Sequence, residues 1–190
     1  MRILGVSAGF HDAALTVLHN HRVLFAGHAE RYSKIKNDST IPVSLQQKAK
    51  EYGPFDKIVY YEKPHLRQLR KIKSGESWGG AWRTQTELLR TIPYIMNETS
   101  AEISSVGHHL SHAAYAYYTQ PQDDCAVICL DSIGEFETLT MWHGKKNKLK
   151  KIHSQGYPHS LGLFFSAMTQ RMGLVPQRDE YLVAQWAKKG

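Results

Sequence analysis

Short apolar runs separated by polar residues open the chain and predict β-strands. The runs cover residues 3–7, 14–18 and 23–28, and Asn20-His21 provides a turn between the last two. This spacing predicts an antiparallel meander. The charged residues 30–38 that follow it predict a loop.

The middle of the chain alternates between helical and strand patterns. The sequence predicts a strand over residues 57–61, a loop over 74–80, and helices over 44–52, over the basic stretch that ends at Lys73, and over 85–96 with a break or kink at Pro93. A further helix is expected from His108 onward.

The strand pattern then returns and predicts an approximate repeat of the first meander. Strands are expected over residues 126–130, 138–142 and 149–153, with one turn at 131–135 and a lysine-rich turn before the last strand. A capped, buried helix is predicted over 158–168, and Gly173 is expected near its end.

Composition is that of a globular protein of about one domain. The chain has 190 residues, of which 42% are hydrophobic and 22% charged. Its first apolar run is too short for a signal peptide, so the expected location is the cytoplasm. Cys125 and Cys129 have strand spacing and are expected to point the same way as small core residues, without a disulfide framework.

Two basic clusters contribute much of the net charge of +7. They cover residues 63–73 and 145–151, and either could meet an anion. A solvated helix face and a hairpin turn are favoured over nucleic-acid binding, because no stacking aromatic residues alternate with the lysines.

His108 and His112 form the most informative pair of side chains. Four-residue spacing on a helix projects both imidazoles from one face, as in a two-histidine metal site. The same spacing also occurs between hydrogen-bonded surface or core histidines. A metal site would need further ligands and supporting partners.

Two small-residue turns are candidate phosphate sites. Residues 7–9 and 131–134 each follow a strand and each include a glycine, which lets a backbone approach a ligand closely. Backbone N–H groups in such turns can hold phosphate oxygens. The alternative is a pair of ordinary hairpins with glycine where a positive φ is required.

Several motifs follow one another along the chain, namely residues 3–7, His11-Asp12-Ala13-Ala14, Glu30-Arg31-Tyr32 with Lys34, Lys36 and Asp38, residues 107–114, Asp131 with Gly134-Glu135, and residues 158–162. Taken in this order, they resemble the N-terminal part of the ATP-dependent carbamoyltransferases, the family of the nodulation-factor, cephamycin and tobramycin carbamoyltransferases. These motifs span nearly the whole chain.

The resemblance implies an α/β fold related to actin, Hsp70 and the sugar kinases, which is a ribonuclease H-like lobe with a mixed sheet, an antiparallel meander and flanking helices. It implies that residues 1–190 are an N-terminal lobe, with a first meander and helices in 1–105 and the metal helix and second meander in 106–190. The second lobe and a synthase-like domain are expected to be absent from these residues.

The resemblance also implies a chemistry. Family members make carbamoyl-adenylate from carbamoyl phosphate and ATP, then transfer the carbamoyl group to a hydroxyl of a small-molecule acceptor. The expected cofactors are Fe(II) or a similar divalent metal, together with ATP or carbamoyl-adenylate. A second chain that supplies the missing lobe is a possible partner, and no membrane or nucleic acid is expected.

Site residues follow from the same resemblance. His108, His112 and Asp131 are the expected metal ligands, and His11 is the expected catalytic residue. A turn histidine is the alternative for His11. The residues expected to contact the nucleotide or the carbamoyl phosphate are Ser7, Gly9, Phe10, Lys36, Asp131 and Gly134, with Lys34 and Arg31 as alternatives to Lys36 and simple surface charge as a further one.

Two other functions stay open from the sequence. The chain could be a non-catalytic module that retains metal or nucleotide affinity. It could also be another actin-like protein, such as a tRNA threonylcarbamoyl-transfer protein. A sugar kinase is disfavoured, because Ser7 stands where kinases of this class have an aspartate.

Overall fold

A computed structural model describes residues 1–73, 92–94, 96–98 and 100–188. The chain divides into two compact units, residues Met1–His108 (unit 1) and His109–Gly190 (unit 2). The loop predicted over 74–80 and most of the helix predicted over 85–96 lie outside the described residues.

Unit 1 is built on a five-stranded mixed sheet. Its elements, in chain order, are β1 (Arg2–Ser7), β2 (Ala14–His19), β3 (Arg22–His28), α1 (Ala29–Ser33), α2 (Val43–Lys50), β4 (Lys57–Tyr60), α3 (Pro64–Lys73) and β5 (Glu102–Ser105). The strand order is β3-β2-β1-β4-β5. The first three strands pair antiparallel, and β4 and β5 run parallel to β1. This is the ribonuclease H-like topology shared by actin, Hsp70 and sugar kinases.

Alternating side chains explain why the central strands form. Leu4 and Val6 of β1 and Leu15 and Val17 of β2 are buried on one face, and the residues between them are only partly buried. Ile58 of β4 joins the same core. The period of two of a β-strand therefore places the apolar side chains of the predicted runs in one core.

One local prediction for unit 1 was wrong, and one strand was not predicted. The charged segment 30–38 is not all loop, because residues 29–33 form the short helix α1, on which Ala29 is fully buried. Strand β5 was not predicted, because Glu102–Ser105 has little apolar character. Pairing with β4, such as Ile58 opposite Ile103, makes this polar segment a strand.

Unit 2 contains the predicted repeat of the meander. The next helix, α4 (His108–Tyr118), begins at the last residue of unit 1 and continues into unit 2. The other elements of unit 2 are β6 (Asp124–Gly134), β7 (Glu137–Lys145), β8 (Lys148–Gly156), α5 (Leu161–Arg171) and α6 (Glu180–Ala187). The strand order is β6-β7-β8, and both pairs are antiparallel.

Two predictions for unit 2 need correction. Residues 131–134 are not a turn, because β6 continues through them with a register irregularity between Leu130 and Gly134. Helix α5 is not buried. Phe164 is 63% exposed and Leu161 59%, and Thr169 is the buried residue of the helix. Gly173 does follow the helix, with a φ of 78° that suits glycine.

The two basic clusters lie on a helix and around a hairpin turn, and several of their side chains form ion pairs. Residues 64–73 form α3, and residues 145–148 form a hairpin turn in which Lys146 and Asn147 have positive φ. Lys145 pairs with Asp124, and Lys151 Nζ lies 2.6 Å from Glu137 Oε1.

Both cysteines are free thiols. Among the described residues, no helix is long and apolar enough to cross a membrane.

Candidate active site and metal centre

The loop between β1 and β2 carries the expected catalytic histidine and is held by backbone hydrogen bonds. The Gly9 N–H donates to the Ser39 carbonyl (2.8 Å), and the Ala13 N–H donates to the Asp38 carbonyl (2.7 Å). Gly9 has a φ of 87°, so its conformation favours glycine. The loop therefore lies directly against residues 38–39.

His11 is paired with its neighbour. Its Nδ1 lies 2.7 Å from Asp12 Oδ2, and the other carboxylate oxygen of Asp12 lies 3.6 Å from His28 Nε2. Asp12 reaches His11 from a left-handed backbone conformation (φ 53°), which aspartate tolerates better than most residues. A carboxylate accepts, so the Nδ1 proton points to Asp12 and Nε2 is left to accept a proton. His11 thus has a partner, unlike a simple turn histidine.

A buried ion pair supports the same loop. The Arg67 guanidinium lies 4.6 Å from the centre of the Phe10 ring and donates to Glu62 Oε1 at 2.7 Å. The Phe10 ring is in turn 4.6 Å from the His11 ring, centre to centre. Within unit 1, His108 Nδ1 lies 3.8 Å from Glu62 Oε2. Arg67 therefore does not belong to a solvated helix face.

The other expected residues of unit 1 lie around this loop. Ser7 ends β1 opposite Ala14, and Lys36 is exposed in the segment between α1 and Asp38. That segment is tied back to α1, because Glu30 Oε1 accepts the Asn37 N–H at 2.5 Å. The backbone contacts of residues 38–39 bring the segment to the His11 loop, so the structure brings these two predicted parts together.

The start of α4 and the end of β6 form a cluster of metal-binding groups. His108 and His112 lie about one helical turn apart, and Asp131 lies on β6. One ligand atom from each of the three lies within 4.8 Å of the others. The spacing of the two histidines is set by the single helix that they share. Two imidazoles and one carboxylate suit Fe(II) and related divalent metals, so these residues fit the expected metal.

The strand that carries Asp131 packs closely against the start of α5. The Ser160 hydroxyl caps α5 by accepting the Leu163 N–H (3.0 Å) and also contacts the carbonyl of Ser132 (2.7 Å). A Cβ atom at Gly162 would lie 2.8 Å from the Asp131 carbonyl oxygen. Gly162 is therefore required for this close approach of helix and strand.

Gly134 is buried at the end of β6, but it does not have the conformation that the turn prediction implied. The positive φ falls on the next residue, Glu135 (57°), and Gly134 pairs with Glu137 across a tight hairpin. This turn therefore resembles the first one only in position.

Sequence reasoning missed a buried polar group beside the metal cluster. His109 is 1% exposed, and its Nδ1 lies 2.9 Å from the hydroxyl of Thr140. Sequence reasoning also missed Arg67 and His28. No local signal marks His109 as a residue of this site, since its burial and its contact with Thr140, 31 residues away, appear only in the folded chain.

Comparison with known proteins agrees with the sequence resemblance. Residues 79–190 match the family described as carbamoyltransferase N-terminus. An uncharacterized protein of Synechocystis is 29% identical over 99% of this chain and 34% of its own length. The nodulation protein NolNO of Sinorhizobium fredii is 26% identical over 95% of this chain and 28% of its own length. The chain thus spans about a third of the length of these relatives.

Solved structures with a similar fold include the Aquifex aeolicus PPX-GPPA enzyme. It matches 90% of this chain and 55% of its own at a TM-score of 0.47 and 11% identity. A TM-score of this size does not establish the fold, which follows instead from the strand order of unit 1. The family match covers more than half of the chain, and the chain therefore belongs to the carbamoyltransferase N-terminus family.

Proposed function

We propose that this chain forms part of the active site of an ATP-dependent O-carbamoyltransferase. The reaction would transfer the carbamoyl group of carbamoyl phosphate, by way of carbamoyl-adenylate, to a hydroxyl of a small-molecule acceptor. The observation that carries the proposal is the grouping of His108, His112 and Asp131 within 4.8 Å, in a chain of this family.

The metal cluster supplies one half of the proposed chemistry. His108, His112 and Asp131 would hold the metal ion, and a bound divalent metal would polarise the carbamoyl oxygen and stabilise negative charge there. Asp131 is presented by a strand that Ser160 and Gly162 hold in place. These contacts would hold the backbone of Asp131 in place for the metal ion.

His11 supplies the other half. With its Nδ1 proton bonded to Asp12 (2.7 Å), the ring can take a proton at Nε2. In the proposed step the acceptor hydroxyl gives its proton to His11 as its oxygen attacks the carbamoyl carbon, and AMP leaves with the bonding electrons. Asp12 orients the ring and stabilises the imidazolium that forms.

The loop around Gly9 and Lys36 is the proposed phosphate-binding part of unit 1. Gly9 lets the backbone approach an oxygen closely, and Lys36 places a cation on the segment that contacts this loop. Ser7 and Phe10 flank the same turn. In unit 2, we assign Gly134 to the nucleotide because it lies on the same strand end as Asp131.

Metal binding is the first test. The purified chain is titrated with Fe(II) under anaerobic conditions, beside a His108→Ala/His112→Ala variant and a His153→Ala control on exposed strand β8. We expect one metal ion per chain in the wild type and the control, and none in the double variant. Equal binding by all three would place the metal elsewhere and contradict the proposed ligands.

Carbamoyl transfer is the second test. This chain replaces the matching third of the Synechocystis relative, and the chimera receives labelled carbamoyl phosphate, ATP and a panel of hydroxyl compounds. His11→Ala should lower transfer about 100-fold or more, because general base catalysis typically contributes that much, whereas His21→Ala should not. Transfer that survives His11→Ala would contradict the assigned role and favour a binding module.

A further inference from the structure

A chain of three hydrogen-bonding side chains runs through the interior of unit 2 toward the proposed metal ligand Asp131. The indole Nε1–H of Trp142 donates to Thr140 Oγ1 at 2.8 Å. The same oxygen lies 2.9 Å from Nδ1 of His109. All three side chains are buried, and Thr140 is 0% exposed. Hydrogen bonds in such a dry environment are strong and directional.

The far end of this chain faces the carboxylate. His109 Nε2 lies 3.9 Å from Asp131 Oδ2, which is longer than a hydrogen bond and leaves an electrostatic contact between the two groups. The other oxygen of Asp131, Oδ1, accepts the N–H of Ser132 at 2.6 Å. The two oxygens of Asp131 therefore face two different donors, one from the backbone and one from the imidazole. Carboxylate oxygens that accept hydrogen bonds can still bind a metal through their remaining lone pairs.

The role considered for His109 uses the tautomer that carries its proton on Nε2. An indole N–H only donates, so Thr140 accepts from Trp142 and retains its own proton. When that hydroxyl proton is directed to Nδ1 of His109, the ring proton lies on Nε2. This nitrogen is the one that faces Asp131.

We infer that His109 is a positioning residue that orients the Asp131 carboxylate for metal binding, through the relay Trp142–Thr140–His109. The inference rests on the proposed metal site. His109 does not itself bind the ion in this assignment. Its Nε2 faces the carboxylate at 3.9 Å, an electrostatic contact, and loss of such supporting partners of metal ligands typically weakens metal affinity about 10- to 100-fold.

Two amide substitutions separate a positioning role from a packing role. His109→Gln places an amide N–H close to the position of Nε2, so it still presents an N–H toward Asp131. His109→Asn places its amide near Nδ1, so it keeps the contact with Thr140 and loses the N–H that faces Asp131. Packing alone would make the shorter and the longer amide differ only in stability, and not in metal affinity or in the metal spectrum.

The experiment uses the 190-residue chain, titrated anaerobically with Fe(II) for affinity and with Co(II) for its visible absorption spectrum. We expect His109→Asn to weaken binding about 10- to 100-fold and to change the Co(II) bands. His109→Gln should remain within a few-fold of the wild type. Thr140→Val should fall between them, because the relay loses the group that fixes the tautomer.

Thr169→Val is the matched control. Thr169 is also a fully buried threonine of unit 2, but its hydroxyl donates to the Phe165 carbonyl (2.9 Å) within α5. Wild-type affinity in Thr169→Val, with the losses above, supports the inference. Wild-type affinity and spectrum in folded His109→Asn or, if that variant does not fold, in Thr140→Val overturn it. Absence of metal binding by the wild type itself would overturn the proposed metal site, and the inference with it.

Discussion

The two meanders have the same strand order, but their interiors are chemically different. In unit 1, the buried positions of β1 and β2 are Leu4, Val6, Leu15 and Val17. In unit 2, valine, cysteine, threonine and tryptophan occupy buried positions of β6 and β7, and these residues are Val127, Cys129, Thr138, Thr140 and Trp142. The first sheet is held by apolar packing, and the second combines packing with side-chain hydrogen bonds.

This difference matches the way each unit presents its candidate site. The His11 loop of unit 1 is positioned by backbone hydrogen bonds above an apolar core. Asp131 of unit 2 is positioned by the side chains of Ser160 and, in our inference, His109. Substitutions in the interior of unit 1 should therefore act on stability, and those in unit 2 should act on the site as well.

The two sheets also differ in how their faces are covered. Leu4 of β1 is 0% exposed, whereas Leu130 and Ile128 of β6 are 60% and 58% exposed. The same residue type thus has opposite surroundings on the first strand of each meander. Apolar burial contributes stability roughly in proportion to the area removed from water.

The largest expected effect is loss of core packing in unit 1. Leu4→Ala should lower the free energy of unfolding by about 3 kcal/mol, because it leaves a cavity among fully buried side chains. Leu130→Ala, on the exposed face of β6, should lower it by less than about 0.5 kcal/mol. Urea unfolding measures both, and equal losses would mean that the two strands are packed alike.

The second largest effect is expected from steric crowding at Gly162. Gly162→Ala should cost about 2 kcal/mol and weaken metal binding, because the new methyl group would lie 2.7–2.8 Å from backbone atoms of residues 131 and 132. Gly5→Ala in unit 1, where the nearest atom is 3.6 Å away, should have a much smaller effect. Thermal unfolding and Fe(II) titration test the pair. Unchanged metal affinity in Gly162→Ala would separate α5 from the site.

A smaller effect is expected from the helix cap that holds Asp131. Ser160→Ala removes the hydroxyl that caps α5 and contacts the Ser132 carbonyl, and should cost about 1 kcal/mol. Ser44→Ala, an exposed serine in the first turn of α2, is the control and should change stability by a few tenths at most. If both variants unfold at the same urea concentration, the cap does not stabilise unit 2.

The smallest effect concerns acid stability, which we expect in both units. Hydrogen bonds from Ser33 and Thr40 hold the pKa of Asp38 below its usual 3.8, and bonds from Lys145 and His143 lower the pKa of Asp124. A carboxyl with a lowered folded-state pKa stabilises the fold above its unfolded pKa, and this contribution is lost as pH falls through the folded value.

Asp38→Asn and Asp124→Asn should therefore each reduce the loss of stability between pH 5 and pH 2, a range that includes the usual aspartate pKa of 3.8. Urea midpoints measured across this range test the pair. If the urea midpoint falls with pH in the same way in the wild type and in both variants, the hydrogen bonds assigned to Asp38 and Asp124 are contradicted.

Much of the fold could be predicted, because its strands have strong local patterns. Both meanders, α2, α3 and α4 were predicted, since alternation and helical spacing are set by the side chains themselves. Strand β5 and helix α1 could not be predicted, because pairing with β4 and burial of Ala29 decide them. The exposure of α5 was missed for a related reason. An apolar pattern shows which face is able to be buried, but not whether anything covers it.

The sequence by itself determined the family, the two meanders, and the residue types of the proposed site. His108 and His112 follow from spacing on one helix, which local geometry fixes. The resemblance to the family named Asp131 as their partner, and the tertiary structure shows the three ligand atoms within 4.8 Å of one another. Only the tertiary structure decided that Asp12 pairs with His11 and that His109 is buried against Thr140. The grouping of the metal ligands and the burial of His109 depend on how a strand packs against a helix, and that packing depends on the whole of unit 2.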